Sequence, residues 1–103
     1  MKLSAARKYA LSLPGASEQP HFNYASFRVG KKIFVTVPPD GDHLHIFVPE
    51  EVRESALAMH PQFVEKLTWG SKVVGVRVAL EPAGASVVNQ LVLEAWRYKA
   101  PKP

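Results

Sequence analysis

Two stretches of the sequence, residues 25–37 and 66–80, carry positively charged side chains and contain no acidic residue. Long cationic side chains on a rigid support suit phosphate binding, because affinity for a nucleic-acid backbone comes largely from counterion release. An aromatic ring beside them can stack on an unpaired base. The alternative is that the lysines are simply solvated and that the tryptophan fills space beneath a loop. The predicted nucleic-acid contacts are Arg28, Lys31, Lys32, Trp69, Lys72 and Arg77.

The rest of the charge is also segregated along the chain. Residues 40–54 hold five acidic side chains against Arg53 alone, and the C-terminal residues add Arg97, Lys99 and Lys102. The formal net charge is +4. A net positive charge of this size favours binding to polyanions such as DNA, although it also keeps a small protein soluble.

A second group of candidate residues lies in the segment "QPHFNYASF". Its histidine and aromatic rings could bind a small molecule or a protein over an open face of a sheet. No nucleophile accompanies the histidine, and no phosphate-binding glycine loop or dinucleotide motif is present. We therefore expect a non-enzymatic protein without a cofactor, with ligand binding as the alternative to nucleic-acid binding. The candidate ligand-binding residues are His21, Phe22, Tyr24 and Phe34.

The segment "DGDHLH" resembles a metal site at first sight. His43 and His45 are two apart on a predicted strand and so share a face, with Asp40 and Asp42 close by. Asp40 and Gly41 are already explained as a turn, and a divalent site needs a further well-placed ligand. The sequence therefore predicts no metal site.

The bulk properties indicate one compact domain over residues 1–103. Hydrophobic residues make up 47% of the chain, no apolar run approaches the roughly 18 residues of a membrane span, and there is no cysteine. The N-terminus runs directly into a helical pattern and does not resemble a signal peptide. We expect a cytoplasmic protein that is a monomer or a weak dimer.

The elements that must position these residues follow from periodicity. Helices are predicted at 5–12, 50–59 and 84–99. Ser4 is the predicted cap of the first helix, and the second is predicted to bury Val52, Ala56 and Met59. Strands are predicted at 25–29, 33–37, 43–48 and 73–80, with a short one possible at 62–67, whereas 14–24 is predicted as a loop.

The first hairpin admits two registers. A three-residue turn, Gly30 to Lys32, would pair Val29 with Ile33 and place the apolar side chains of both strands on one face. A two-residue turn would scatter them, so we favour the first. The resulting order, helix, three strands, helix, one or two strands and helix, predicts a two-layer α+β sandwich whose antiparallel sheet is covered by helices mainly on one face.

Three segments resemble the MmcQ/YjbR family of small bacterial proteins: "LSLPGASEQPHFNYASFRVGKKIFVTV", "WGSKVVGVRVAL" and "EAWRYKAPK". The resemblance spans about Ala10 to Lys102 and departs at 72–74, where relatives often have glycine and an aromatic residue. It implies a fold like that of CyaY (frataxin), described as a double-wing DNA-binding arrangement, and no established reaction. Frataxin-type iron binding uses an acidic first helix, but here that helix carries Lys2, Arg7 and Lys8. The resemblance therefore implies DNA binding without iron.

Overall fold

The structure, a computed structural model, describes residues 1–102. The three helices are α1 (Leu3–Ser12), α2 (Glu50–Met59) and α3 (Ala85–Lys99). The six strands are β1 (Ser17–His21), β2 (Tyr24–Val29), β3 (Lys32–Val37), β4 (His43–Ile46), β5 (Val64–Trp69) and β6 (Lys72–Ala79). They form one sheet in the order β1-β2-β3-β4-β6-β5, and every neighbouring pair is antiparallel. The predicted α+β class is confirmed.

One face of the sheet is apolar and packs against the helices. Phe27, Val35, Ile46 and Val76 lie side by side in register across four strands, and each is at most 1% exposed. The buried stripe of α3, which includes Val88 and is predicted from its i, i+3, i+4 spacing, joins the same core. The helices therefore cover the face that the alternation of apolar residues would otherwise expose to water.

The opposite face carries a transverse row of polar side chains. The register aligns one residue from each strand across the whole sheet. The row consists of Gln19, Ser26, Thr36, His45, Arg77 and Glu65. Three of its members, Ser26, Thr36 and His45, are nonetheless buried, and within residues 1–102 the Thr36 hydroxyl has no hydrogen-bond partner.

The first hairpin combines the two registers that the sequence left open. Gly30 and Lys31 both have a left-handed backbone, with φ of 55° and 72°, and form a two-residue turn that pairs Val29 with Lys32. A register shift between Phe27 and Arg28 then restores the predicted pairing of Phe27 with Val35. The three-residue turn was wrong. Phe27, Val35 and Val37 keep the predicted apolar face, whereas Ile33 pairs with Arg28, and Phe34 is the extra residue and is buried in the core.

Three local predictions are corrected. Part of the predicted loop 14–24 is strand β1, which lies at an edge of the sheet, where Pro20 costs no central ladder bond. Helix α1 begins at Leu3 after Lys2, which makes no side-chain cap, rather than after Ser4. Met59, which was predicted to be buried, is 67% exposed. It is the last residue of α2 and lies beyond Ala56, the buried residue of that helix.

Within residues 1–102, no helix has the length and apolarity that crossing a bilayer requires.

Candidate nucleic-acid interface

The two basic hairpins end at the same edge of the molecule. Val35, Ile46 and Val76 are aligned across β3, β4 and β6, and β3 and β6 run in the same direction because both are antiparallel to β4. Lys32 begins β3 and Lys72 begins β6, so both lysines lie on the same side of this row. The β2–β3 and β5–β6 turns therefore project from one end of the sheet. The centres of the two hairpins are three strand positions apart, which corresponds to about 14 Å.

The C-terminal segment adds further cations beside the first hairpin. Burial lowers the pKa of Lys99, and the charge of Lys32 lowers it further. Pro101 packs against Gly30 so closely that a Cβ at this glycine would overlap the proline ring. We call this end of the molecule the basic end and define it by five lysines: Lys31, Lys32, Lys72, Lys99 and Lys102.

A cleft of about 390 Å³ lies where β4 ends and is lined by the β5–β6 hairpin, the start of α2 and the end of α3. Trp69, predicted from the sequence, is 54% exposed on one wall, and its indole packs edge-on against Phe47 with ring centroids 5.3 Å apart. Tyr98, 49% exposed, lines the same cleft, and the Nζ of Lys99 lies 4.8 Å from the centre of its ring. The lining also includes Val48, Pro49, Glu50, Arg53, Val73 and Val74.

Sequence reasoning left Tyr98, Lys99 and Lys102 out of the candidate site. The basic residues of the tail are visible in the sequence, but only the packing of Pro101 on Gly30 places them next to Lys32. The signal that could have found them is the third cluster of cations, at residues 97–102.

Arg77 lies away from the basic end and is balanced by carboxylates. Its Nε is 3.2 Å from Oε1 of Glu65, its cross-strand neighbour, and its NH2 is 3.5 Å from Oδ2 of Asp40. Its NH1 donates a hydrogen bond of 3.0 Å to Nε2 of His45. The structure thus separates Arg77 from Lys31, Lys32, Lys72 and Trp69 and neutralises its charge.

Arg28 is half-buried, and its Nε donates to the hydroxyl of Ser26 at 3.3 Å. Ser26 belongs to the polar row, so the Arg28 guanidinium lies toward the polar face rather than at the hairpin turn. Of the six predicted contacts, Lys31, Lys32, Trp69 and Lys72 are exposed together at the basic end.

The four candidate ligand-binding residues do not all lie at one site, because Phe34 is in the core. His21 and Phe22 stack edge-on with centroids 4.9 Å apart in the β1–β2 turn, and Phe22 is 92% exposed. Tyr24 lines a cleft of about 580 Å³ together with Phe22, and its ring lies 6.0 Å from that of His45. Phe34 is 0% exposed and belongs to the core. A ligand bound at the turn could not reach Phe34 in this arrangement.

Three of the four candidate metal ligands in "DGDHLH", namely Asp40, Asp42 and His43, are hydrogen-bonded among themselves. Nδ1 of His43 is 3.0 Å from Oδ2 of Asp40, whose other oxygen accepts the backbone N–H of Asp42 at 2.8 Å. That backbone hydrogen bond, with a smaller contribution from His43, holds the pKa of Asp40 below its usual value despite opposition from burial. Across residues 1–102, no three histidine or acidic side chains are grouped so as to hold a metal ion.

His45 is buried in the polar row next to a permanent cation. Burial lowers the pKa of this histidine, and the charge of Arg77 lowers it further, whereas Asp40 and Glu65 oppose the change and His43 adds to it. Because Arg77 donates to Nε2, the neutral ring carries its proton on Nδ1. The arrangement stabilises the uncharged form of His45.

We expect the pH dependence of folding stability to report on this histidine. The folded-state pKa lies below the unfolded value of about 6.5, so the unfolded chain binds more protons and the free energy of unfolding decreases as pH falls below that value. Replacing His45 with glutamine, which can still accept from Arg77, should make this decrease smaller. Urea unfolding from pH 7.5 to 5 measures it, and equal decreases in both proteins would contradict the assignment.

Comparisons with known proteins are consistent with this architecture. The sequence model of the family described as YjbR matches residues 11–98. The crystal structure of Deinococcus radiodurans protein DR2400, which contains a DUF419 domain, is similar with a TM-score of 0.79 and 21% sequence identity. The alignment covers 92% of this chain and 75% of DR2400. No curated protein matches the sequence.

Proposed function

This chain belongs to the YjbR family, and we propose that it is a non-enzymatic DNA-binding protein that contacts the phosphate backbone through its basic end. The observation that carries the proposal is the convergence of both hairpin turns and the C-terminal segment at one end of the sheet. The five lysines of the basic end come from three separate parts of the sequence.

The surroundings of the basic end also favour an anionic partner. The acidic residue in the lining of the cleft, Glu50, is paired with Arg53, which also lines it and whose NH2 lies 3.6 Å from Oε1 of Glu50. The side chains of Lys31, Lys32 and Lys72 are exposed on tight turns. Cations held on short, ordered turns lose little conformational freedom when they meet phosphates, so less binding free energy is lost to ordering.

A salt titration tests the proposal directly. Five phosphate contacts should give a plot of log K against log salt with a slope of about −3 to −4 for single strands and slightly steeper for duplex DNA. Fluorescence anisotropy with labelled oligonucleotides of roughly 15 nucleotides, a length that a small domain can span, measures the slope. Binding that does not change with salt, or no binding at low salt, would contradict the proposal.

A further inference from the structure

We infer that the cleft between Trp69 and Tyr98 receives an unpaired nucleobase, so that the protein prefers single-stranded over duplex DNA. The inference rests on the proposed function and specifies the class of nucleic acid. It depends on where the exposed aromatic rings lie. The large apolar side chains that are exposed within residues 1–102 are Leu11, Phe22, Met59, Trp69 and Tyr98, and two of them line this one cleft.

The tryptophan is held in place while part of its ring remains free. Phe47 is 5% exposed and packs against Trp69 at an interplanar angle of 70°. An edge-to-face contact of this kind fixes the orientation of the indole. Since 54% of Trp69 remains accessible, surface is left on which a base can stack.

The dimensions of the cleft fit a single base. Its volume of about 390 Å³ is near the lower end of the range for small-molecule sites. The lining also includes Tyr98, whose ring already accepts the cation of Lys99. A base entering the cleft therefore meets an aromatic ring from the β5–β6 hairpin and another from the end of α3.

Phosphates on both sides of that base would meet lysines. Lys72 pairs with Trp69 next to the β5–β6 turn, and Lys99 lines the cleft beside Tyr98, in the segment that the contact of Pro101 with Gly30 brings to the first hairpin. A strand crossing the basic end could place a base between the two groups of cations while its backbone contacts both. In a duplex the same base would first have to leave its stack, which requires free energy that an unpaired strand does not need.

The experiment compares three ligands of equal length: oligothymidylate, an abasic oligonucleotide with the same phosphates, and a duplex. We expect the unmodified protein to bind oligothymidylate about tenfold or more tightly than the abasic strand, since one base–aromatic stack accounts for roughly that factor. Trp69→Ala should remove the difference and leave abasic binding unchanged. Trp69→Phe, which retains an aromatic face, should preserve most of it.

Phe22→Ala provides the matched control, because Phe22 is an exposed aromatic residue in the β1–β2 turn at the opposite end of the sheet. It should change none of the three affinities. Equal binding of oligothymidylate and the abasic strand, tighter binding of the duplex, or an equal loss for both single strands in Trp69→Ala would overturn the inference while leaving phosphate binding intact. No binding of any of the three ligands at low salt would overturn the proposed function itself.

Discussion

Replacing Lys31 and Lys32 together by glutamate will weaken DNA binding by on the order of 100-fold at low salt. The change removes two of the five lysines of the basic end and places two negative charges in the β2–β3 turn. Two lost phosphate contacts should also reduce the salt slope by about 1.5. The fold should tolerate the change because both side chains are exposed, and glutamate at Lys31 meets the same left-handed φ of 72° that lysine already accepts. Anisotropy titrations at several salt concentrations give both quantities.

The control must change the net charge equally without touching the basic end. Lys2→Glu with Lys8→Glu does so, since each pair of substitutions lowers the formal net charge from +4 to 0. Both residues are exposed on or beside α1, and Lys2 lies near Gly41, at the other end of the sheet. If the control weakened binding as much as the hairpin variant, total charge rather than the basic end would govern the affinity. Thermal unfolding of both variants checks that the fold is intact.

Arg77 illustrates why counting charge along the chain is insufficient to define a binding surface. The stretch 66–80 contains no acid, but Glu65 lies one residue outside it and faces Arg77 across the β5–β6 pair. Asp40, from the distant β3–β4 turn, approaches the same guanidinium. Which residue faces Arg77 depends on the register between β5 and β6, and the sequence did not specify that register. The pairing of Glu65 with Arg77 could therefore not be predicted.

Strand β1 was predicted as part of a loop for a related reason. Its sequence, "SEQPH", has neither β-branched residues nor alternating hydrophobicity, and four of its five residues are exposed. Such a segment becomes a strand only because β2 offers it an unpaired edge. The buried elements, in contrast, could be predicted from periodicity, because α3 and the strands β3, β4 and β6 owe their positions to the apolar side chains that define their patterns.

Replacing Gly75 by alanine will destabilise the protein by about 3 kcal/mol, and this is the largest effect on stability that we expect from a single methyl group. Gly75 is buried in β6, where a Cβ would overlap the carbonyl oxygen of Ile46 and crowd the Cα of Phe47. These are backbone atoms of the adjacent central strand and its continuation, so a change of side-chain rotamer cannot relieve the overlap. The free energy of unfolding from urea denaturation measures the loss.

The same substitution links the fold to the basic end. Phe47, which must move away from the new methyl group, is the residue that orients the Trp69 indole. In the fraction of the Gly75→Ala protein that remains folded, the preference for oligothymidylate over the abasic strand should therefore be reduced.

Gly84→Ala serves as the control for stability, because a methyl group there would meet no atom within 4 Å and the φ of −74° suits alanine. That change should cost less than about 1 kcal/mol, as expected at a helix N-cap. Equal destabilisation by the two substitutions would show that contact with β4 is not the reason for a glycine at position 75.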